Sequence, residues 1–150
     1  MFDRFIIRVD RSVRPVYPDW MKKVMHSELE GTGPAEYDLS SGVEQWLHND
    51  QKTGVTRGQV IYDYLKTSNE LADQLELADL LAIQAKGIKI FRKLFKGKAV
   101  YGWKSVVQYR GISGDLSVPC LCVDVGRMML YWHWLSLDWD SRRPALRFGK

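Results

Sequence analysis

Two cysteines and a histidine near the C-terminus are the first candidates for chemistry. Cys120 and Cys122 are separated by one residue, and His133 follows eleven positions after Cys122. Zinc binds thiolates and imidazoles, but structural zinc sites use C-x2-C spacing and a second ligand pair. This spacing is different, so the sequence predicts neither a metal nor another cofactor. In a strand, the two thiols are too far apart for a relaxed disulfide.

The other two histidines have carboxylates close by in the sequence. His26 is followed by Glu28 and Glu30, and His48 by Asp50. Such groups could carry the acid–base chemistry of a hydrolase, or help to hold a divalent cation. Alternatively, both histidines lie at helix ends, where the C-terminal dipole stabilises a cation. No phosphate-binding loop, nucleophile elbow or zinc-protease motif is present, so the sequence favours a protein that is not an enzyme.

Charge is unevenly distributed along the chain. Residues 24–51 hold six acidic side chains and no Lys or Arg, whereas residues 84–110 hold eight basic side chains and no Asp or Glu. Arg142, Arg143 and Arg147 make the last residues basic as well, although the net charge is only +4. This distribution predicts one strongly electropositive region.

Five cations share one face of a predicted helix. At about 100° per residue they lie opposite the apolar residues; they are Lys86, Lys89, Arg92, Lys93 and Lys96. A cationic face without acids binds polyanions such as nucleic acid by releasing counterions. The same pattern also occurs on helices that lie on membranes, bind proteins or simply face solvent. Because the apolar arc is the natural core-facing side, we expect no membrane partner.

Two tryptophans extend the hypothesis of nucleic-acid binding. Trp132 and Trp134 would share one face of a strand with Leu130. Gln108, Arg110 and Lys104 would lie near them, so that the rings stack bases while the cations meet phosphates. Alternatively, another helix covers both rings, or Arg110 stacks on Trp134 as an internal cation–π pair.

The predicted elements place helices before a C-terminal sheet, which is typical of an α+β fold. We expect a short N-terminal strand over 5–9. The expected helices cover 20–29, begin near 41 and near 56, and cover 69–95 with a break near 76–78. Three antiparallel strands follow over about 99–110, 115–123 and 128–137, with turns at Ser113-Gly114 and Val125-Gly126.

Two-residue turns would fix the register of this sheet. They would align Val107 with Cys120 and Tyr131, and, on the other face, Arg110 with Ser117 and Trp134. The face that carries Cys120, Tyr131 and His133 would then be the core face covered by the helices. Pro119 argues against this register, because proline cannot donate a hydrogen bond in a central strand.

The composition predicts one globular domain. The chain has 150 residues, of which 45% are hydrophobic and 27% charged. This is the usual size of a single domain. The N-terminal residues interleave charges too closely for a secretory signal, so we expect a cytoplasmic protein.

Several stretches together resemble a family of small bacterial proteins without an assigned function. They are "VYPDWMKKV" at 16–24, "GPAEYDL" at 33–39, "WLHNDQKTG" at 46–54, "VIYDYLK" at 60–66, "GKAVYGWKSVV" at 97–107 and "PALRF" at 144–148. The resemblance implies a bacterial, cytosolic protein of one domain. It implies no activity, cofactor or active-site residue.

The sequence therefore favours a non-enzymatic binding protein, with RNA or single-stranded nucleic acid as the leading partner. In this hypothesis the basic helix meets phosphates, and Trp132 and Trp134 stack bases beside Arg110. A protein-interaction module is the main alternative, in which the acidic segment 24–51 and the basic segment 84–110 form two faces. A small hydrolase that uses His26 and His48 is the third.

Overall fold

A computed structural model describes residues 3–149 and shows an α+β fold, which confirms the predicted class. The helices are α1 (Asn49–Thr53), α2 (Gly58–Thr67), α3 (Leu77–Lys86) and α4 (Ile88–Phe95). The strands are β1 (Ile6–Arg8), β2 (Met21–Val24), β3 (Glu36–Asp38), β4 (Val43–Trp46), β5 (Thr56–Arg57), β6 (Val100–Tyr101), β7 (Val107–Tyr109), β8 (Leu116–Asp124), β9 (Arg127–Trp134), β10 (Asp138–Trp139) and β11 (Ala145–Phe148). Short 3-10 segments lie at Ser27–Leu29, Leu71–Asp73 and Trp103–Ser105.

A mixed seven-stranded sheet is the centre of the fold. Six strands follow the order β2-β7-β8-β6-β11-β4, and β9 pairs with the other edge of β8. Only the pair β11 and β6 is parallel among the strand pairs of residues 3–149. Two smaller antiparallel pairs, β1 with β3 and β5 with β10, lie outside this sheet. The predicted three-strand sheet is therefore the middle of a larger one.

Strand β8 carries the core on both of its faces. Leu121 packs in a first hydrophobic cluster with buried residues of α3, α4 and β1. Cys120 and Val118 point the other way and pack in a second cluster with α2, Trp103 and Trp139. The Cys120 face is a core face covered by a helix, as predicted, and that helix is α2. Helices α3 and α4 cover the opposite face, which carries Leu121 and for which a covering helix was predicted only as the alternative.

The predicted helical region 69–95 is α-helical only over 77–95, where Gly87 divides it into α3 and α4, and residues 71–73 form a 3-10 segment instead. Helix α3 begins after Glu76, whose side chain forms a capping box with Asp79. Gly87 has a φ of 102°, which only glycine adopts readily. The chain therefore turns between α3 and α4, and the two helices pack as separate elements.

Two predicted helices are strands in the structure. Residues 21–24 form β2 and pair with β7, and residues 43–46 form β4 and pair with β11. Both stretches are too short to show a clear periodicity, and their partners lie far away in the sequence. Pairing with distant strands therefore decides their structure.

The register of the central hairpin is confirmed, whereas that of the preceding strand is wrong. Cys120 pairs with Tyr131 and Ser117 with Trp134, and the turn is formed by Val125 and Gly126. Val107, however, pairs with Ser117 instead of Cys120. The reason is that the loop between β7 and β8 is longer than the predicted two residues.

Pro119 is accommodated by an interruption in the neighbouring strand. Its carbonyl accepts a hydrogen bond from the Gly102 N–H at 3.1 Å. Because the N–H and C=O of one strand residue face the same edge, the missing donor of Pro119 would face the 3-10 segment Trp103–Ser105. No strand pairs there, since β6 ends at Tyr101 and β7 starts at Val107. The register predicted for the hairpin is therefore compatible with Pro119 in β8.

The N-terminal segment is attached to α3 by a buried group of charges. The Arg11 guanidinium contacts the Asp79 carboxylate at 2.9 Å and the Glu76 carboxylate at 3.3 Å. Tyr37 donates a hydrogen bond to Asp79 at 2.7 Å. Burial raises the pKa of Glu76 and lowers the pKa of the nearby Lys104 ammonium. Lys104 is only 2% exposed, so it does not lie on an open face beside the tryptophans as predicted.

Candidate functional site

A cleft of about 700 Å³ opens beside the C-terminal part of β8, beyond the residues that pair with β6. Strand β6 pairs with β8 only at Cys120 and Leu121, so residues 122–124 have no strand on that edge. The chain between α4 and β6 and the loop after β10 form the walls. The lining residues are Phe91, Arg92, Lys96, Gly97, Lys98, Ala99, Cys120, Cys122, Val123, Asp124, Tyr131, Trp132, His133, Arg142 and Arg143.

Positive charge dominates this cleft. Its lining contains five cations, from α4 (Arg92), the residues that follow it (Lys96, Lys98) and the C-terminal segment (Arg142, Arg143), and one acid, Asp124. A concave, electropositive surface concentrates anions. The volume lies in the range of small-molecule pockets, about 300–1,000 Å³.

The five cations differ in how firmly the protein holds them. Arg143 donates a hydrogen bond to Tyr101 OH at 2.7 Å, and Arg142 forms an ion pair with Asp140 at 2.9 Å. Lys98 donates to the Gln45 side chain at 2.7 Å. Within residues 3–149, Arg92 and Lys96 form no side-chain hydrogen bond or ion pair with the protein, and both are exposed. The cleft therefore has cations that are paired with other groups of the protein on one side, and the unpaired Arg92 and Lys96 on the other.

The structure brings only part of the predicted basic face to the cleft. Arg92 and Lys96 line it, and Lys89 and Lys93 lie exposed elsewhere on α4. Lys86 belongs to α3, on the other side of the Gly87 turn, and its ammonium donates to the Asp3 carbonyl at 3.0 Å. The arc is thus divided between two helices.

The predicted tryptophan platform is packed against the N-terminal segment. Trp20 lies 5.8 Å from Trp132 and 5.6 Å from Trp134, measured between ring centroids, and both of these rings are half-buried. Both rings are therefore covered, as in the alternative interpretation of the sequence, but the covering residue, Trp20, lies in a loop and not in a helix. Trp132 also lines the cleft, whereas Trp134 and Arg110 do not.

Arg110 is exposed at the end of β7 and is separate from the tryptophan rings. Its backbone N–H donates to the Trp20 carbonyl at 3.0 Å. The cation–π contacts found within residues 3–149 involve other cations: Arg4, Arg14, Lys66 and Lys104. The predicted stacking of Arg110 on Trp134 is therefore not formed.

Sequence reasoning missed the C-terminal half of the site. Lys98, Arg142, Arg143 and Tyr131 line the cleft, although none of them belongs to the predicted arc. The only local sign that the two arginines belong to a basic site is that the C-terminal residues 142–150 contain no Asp or Glu. The pairing of β11 with β6 and the hydrogen bond from the Ala99 N–H to the Arg142 carbonyl place them beside the chain that follows α4.

The two thiols differ in burial and in acidity. Cys120 is 3% exposed and Cys122 is half-buried at the cleft surface. The neighbouring Cys120 thiol lowers the pKa of Cys122 to about 7, and the interaction of the two thiols together with burial raises the pKa of Cys120. Burial, aided by the charge of Arg143, lowers the pKa of His133. No group of three or more His, Cys, Asp or Glu residues within 3–149 could hold a metal ion.

The two remaining histidines have local structural contacts. His26 Nε2 lies 2.6 Å from Tyr62 OH, and burial raises the pKa of that tyrosine to about 12. His48 accepts a hydrogen bond from the Asp50 N–H and caps the N-terminus of α1. Both histidines precede their helical segments, so the predicted placement at helix C-termini is wrong. Neither lines the basic cleft or the smaller one beside Trp46.

Comparisons with protein-family models, curated proteins and solved structures give no match for this chain. The resemblance to small bacterial proteins therefore stays a prediction. Within residues 3–149, no helix is both long and apolar enough to cross a membrane.

Proposed function

We propose that the protein binds single-stranded nucleic acid, with the phosphates in the basic cleft and along α4. The observation that carries this proposal is the lining of the cleft, with five cations and one acid. The unpaired Arg92 and Lys96 can move to meet phosphates, while Arg143 and Arg142 are held in place. Contacts of this kind give affinity that depends on salt and hardly on base sequence.

Tyr131 is the best-placed ring for stacking a base. It lies in the cleft lining with 40% of its surface exposed, and its hydroxyl donates to Asp124 at 2.7 Å. Aromatic rings stack every base, which suits binding without sequence preference. Trp132 could add a second contact at the cleft, whereas stacking on Trp134 would require Trp20 to move.

The packing of α4 favours a nucleic-acid partner over a membrane, because the apolar side of the helix is buried. Phe91 and Phe95 are 1% and 4% exposed in the first hydrophobic cluster. The apolar side of the helix is thus occupied by the core, and a membrane-binding helix needs that side free. The exposed side is left with cations alone.

The protein-interaction alternative loses one of its two predicted faces. Three carboxylates of the acidic segment pair with arginines of the same chain: Glu30 with Arg14, Glu36 with Arg8, and Glu44 with Arg147. Much of the acidic charge is therefore neutralised locally. For location we keep the cytoplasm, in which the two free cysteines would stay reduced.

Binding of a fluorescent single-stranded oligonucleotide, measured by anisotropy over a salt series, tests the proposal. The double variant Arg92→Glu and Lys96→Glu should weaken binding about tenfold or more and flatten the salt dependence. The matched control is Lys22→Glu with Lys23→Glu, which makes the same change of charge at exposed positions of β2 outside the cleft.

Two outcomes would contradict the proposal. One is no binding of any oligonucleotide at about 50 mM salt, where phosphate contacts are still strong. The other is an equal loss of affinity in both double variants, because net charge alone would then explain binding. Tyr131→Ala should weaken binding with the salt slope unchanged, which separates stacking from phosphate contact.

A further inference from the structure

The half-buried thiol of Cys122 lies in the cationic cleft. It shares the lining with Arg92, Lys96 and Arg143, and its neighbour Cys120 is almost fully buried on the same face of β8. Cys122 thus has access to a space of about 700 Å³, while Cys120 is shielded. The binding of phosphates by the cleft makes no use of either sulfur.

The surroundings of Cys122 favour its reactive form. Thiolates are the nucleophilic form of cysteine, and nearby cations or hydrogen-bond donors stabilise them. The neighbouring Cys120 thiol and the charge of Arg143 lower the pKa of Cys122 to about 7. A thiol whose pKa is close to the ambient pH is near the optimum for attack on a disulfide.

We propose that Cys122 is a site of mixed-disulfide formation with small, anionic disulfides. The thiolate sulfur of Cys122 attacks one sulfur of the reagent, and a new S–S bond forms as the reagent's own S–S bond breaks. The other half leaves as a thiolate with the electron pair, and it takes up the proton that the Cys122 thiol released. Cys122 is oxidised, and the departing half of the disulfide is reduced.

The cations of the cleft give this reaction its selectivity. Five positive side chains against one carboxylate attract an anionic disulfide and repel a cationic one. Salt weakens this discrimination, because exposed charges are screened over about 8 Å at physiological ionic strength.

The adduct would also regulate the binding of nucleic acid. This part of the inference rests on the proposed function. An anionic group attached to Cys122 occupies the cleft and neutralises its cations. Nucleic-acid affinity should therefore fall on modification and recover when a reductant cleaves the mixed disulfide.

The test compares two disulfide reagents on the intact protein without nucleic acid. Glutathione disulfide is the anionic reagent and cystamine the cationic one, and mass spectrometry follows adduct formation with fragmentation to assign the cysteine. The ratio of the two rates in the folded protein is divided by the ratio for the urea-unfolded chain. We expect a preference for the anionic reagent of about fivefold or more, which high salt removes.

Variants test the two parts of the argument. Arg92→Glu with Lys96→Glu leaves three cations and three acids in the lining and should abolish the preference, while Lys22→Glu with Lys23→Glu should leave it unchanged. Cys120→Ala removes the neighbouring thiol and should move the pH midpoint of the Cys122 reaction upward. Circular dichroism checks that each variant is folded. The charge variants keep the proposal testable if Cys120→Ala does not fold.

The proposal is overturned if Cys122 in the folded protein reacts no faster than in the unfolded chain, or if cystamine is preferred. Neither result depends on nucleic acid, so each leaves the proposed function standing. Conversely, adduct formation as expected in a protein that binds no oligonucleotide would remove the proposed function alone.

Discussion

Four charged side chains are buried at the start of α3: Arg11, Glu76, Asp79 and Lys104. The two positive and two negative groups balance, and Asp79 is fully buried with Arg11 11% exposed. Breaking a buried ion pair costs about 3–5 kcal/mol, because the remaining charge has no partner. An exposed pair contributes about 0–1 kcal/mol. Residue type alone does not distinguish the two cases.

Arg11→Met should therefore lower the free energy of unfolding by about 3 kcal/mol or more. Among residues 3–149, it leaves Asp79 and Glu76 with Lys104 as the remaining nearby cation, and it removes two contacts with the Pro34 carbonyl. Urea denaturation provides the measurement. The matched control is Arg8→Met, because Arg8 and Glu36 are about 60% exposed. A loss of similar size in both variants would contradict the assigned role of burial.

At the residue scale, the sequence predicts part of the cleft. Arg92 and Lys96 follow from helical periodicity, because that pattern is local. Arg142 and Arg143 join them through the pairing of β11 with β6, which no local pattern reveals. Lys104 shows the opposite error. A lysine in a basic segment is expected at the surface, but this one is buried because Glu76 and Asp79 lie near it.

Among the elements, the β8–β9 hairpin follows most directly from the sequence. Its two central turn residues, Val125 and Gly126, have φ values of 50° and 72°. Strands connected by a two-residue turn of this kind keep their natural twist. Strands β2 and β4 were not predicted, because each has only four residues and depends on a distant partner. Local turn chemistry is therefore visible in the sequence, and long-range pairing is not.

The turn makes a prediction that contrasts two substitutions. Val125→Asn should raise the free energy of unfolding by about 0.5–1 kcal/mol, since a β-branched residue is strained at positive φ and Asn-Gly suits this turn. Gly126→Ala should lower it by about 1 kcal/mol. A Cβ at position 126 meets no atom within 4 Å, so the loss would be conformational. Urea midpoints measure both, and equal stability of Gly126→Ala and the parent would refute the assigned backbone.

At the scale of the whole molecule, β11 connects the two hydrophobic clusters. Leu146 packs in the first cluster and Ala145 in the second. The strand also pairs with β4 on one side and β6 on the other. The two clusters therefore share one backbone element, and we expect them to unfold together, in agreement with the predicted single domain.

Leu146→Ala tests this coupling. The side chain is fully buried, so its truncation should cost about 2–5 kcal/mol. Helix ellipticity reports mainly on the first cluster, because α3 and α4 together are longer than α2 of the second cluster. Tryptophan fluorescence reports on the second cluster through Trp103 and Trp139. Both urea midpoints should fall by the same amount. If the fluorescence midpoint stays in place while the ellipticity midpoint falls, the clusters unfold independently.

The missing N–H of Pro119 has a consequence for how the sheet assembles. Pro119 is tolerated in β8 because the edge that lacks its N–H faces the 3-10 segment between β6 and β7, where there is no strand to pair with. If β8 slid by two residues along its neighbours, a backbone carbonyl of β6 or β7 would face the proline and stay unpaired. Such a group costs about 1–3 kcal/mol when buried. One side chain thus discriminates against misaligned intermediates during folding, and its effect lies in the competing arrangements as much as in the native one.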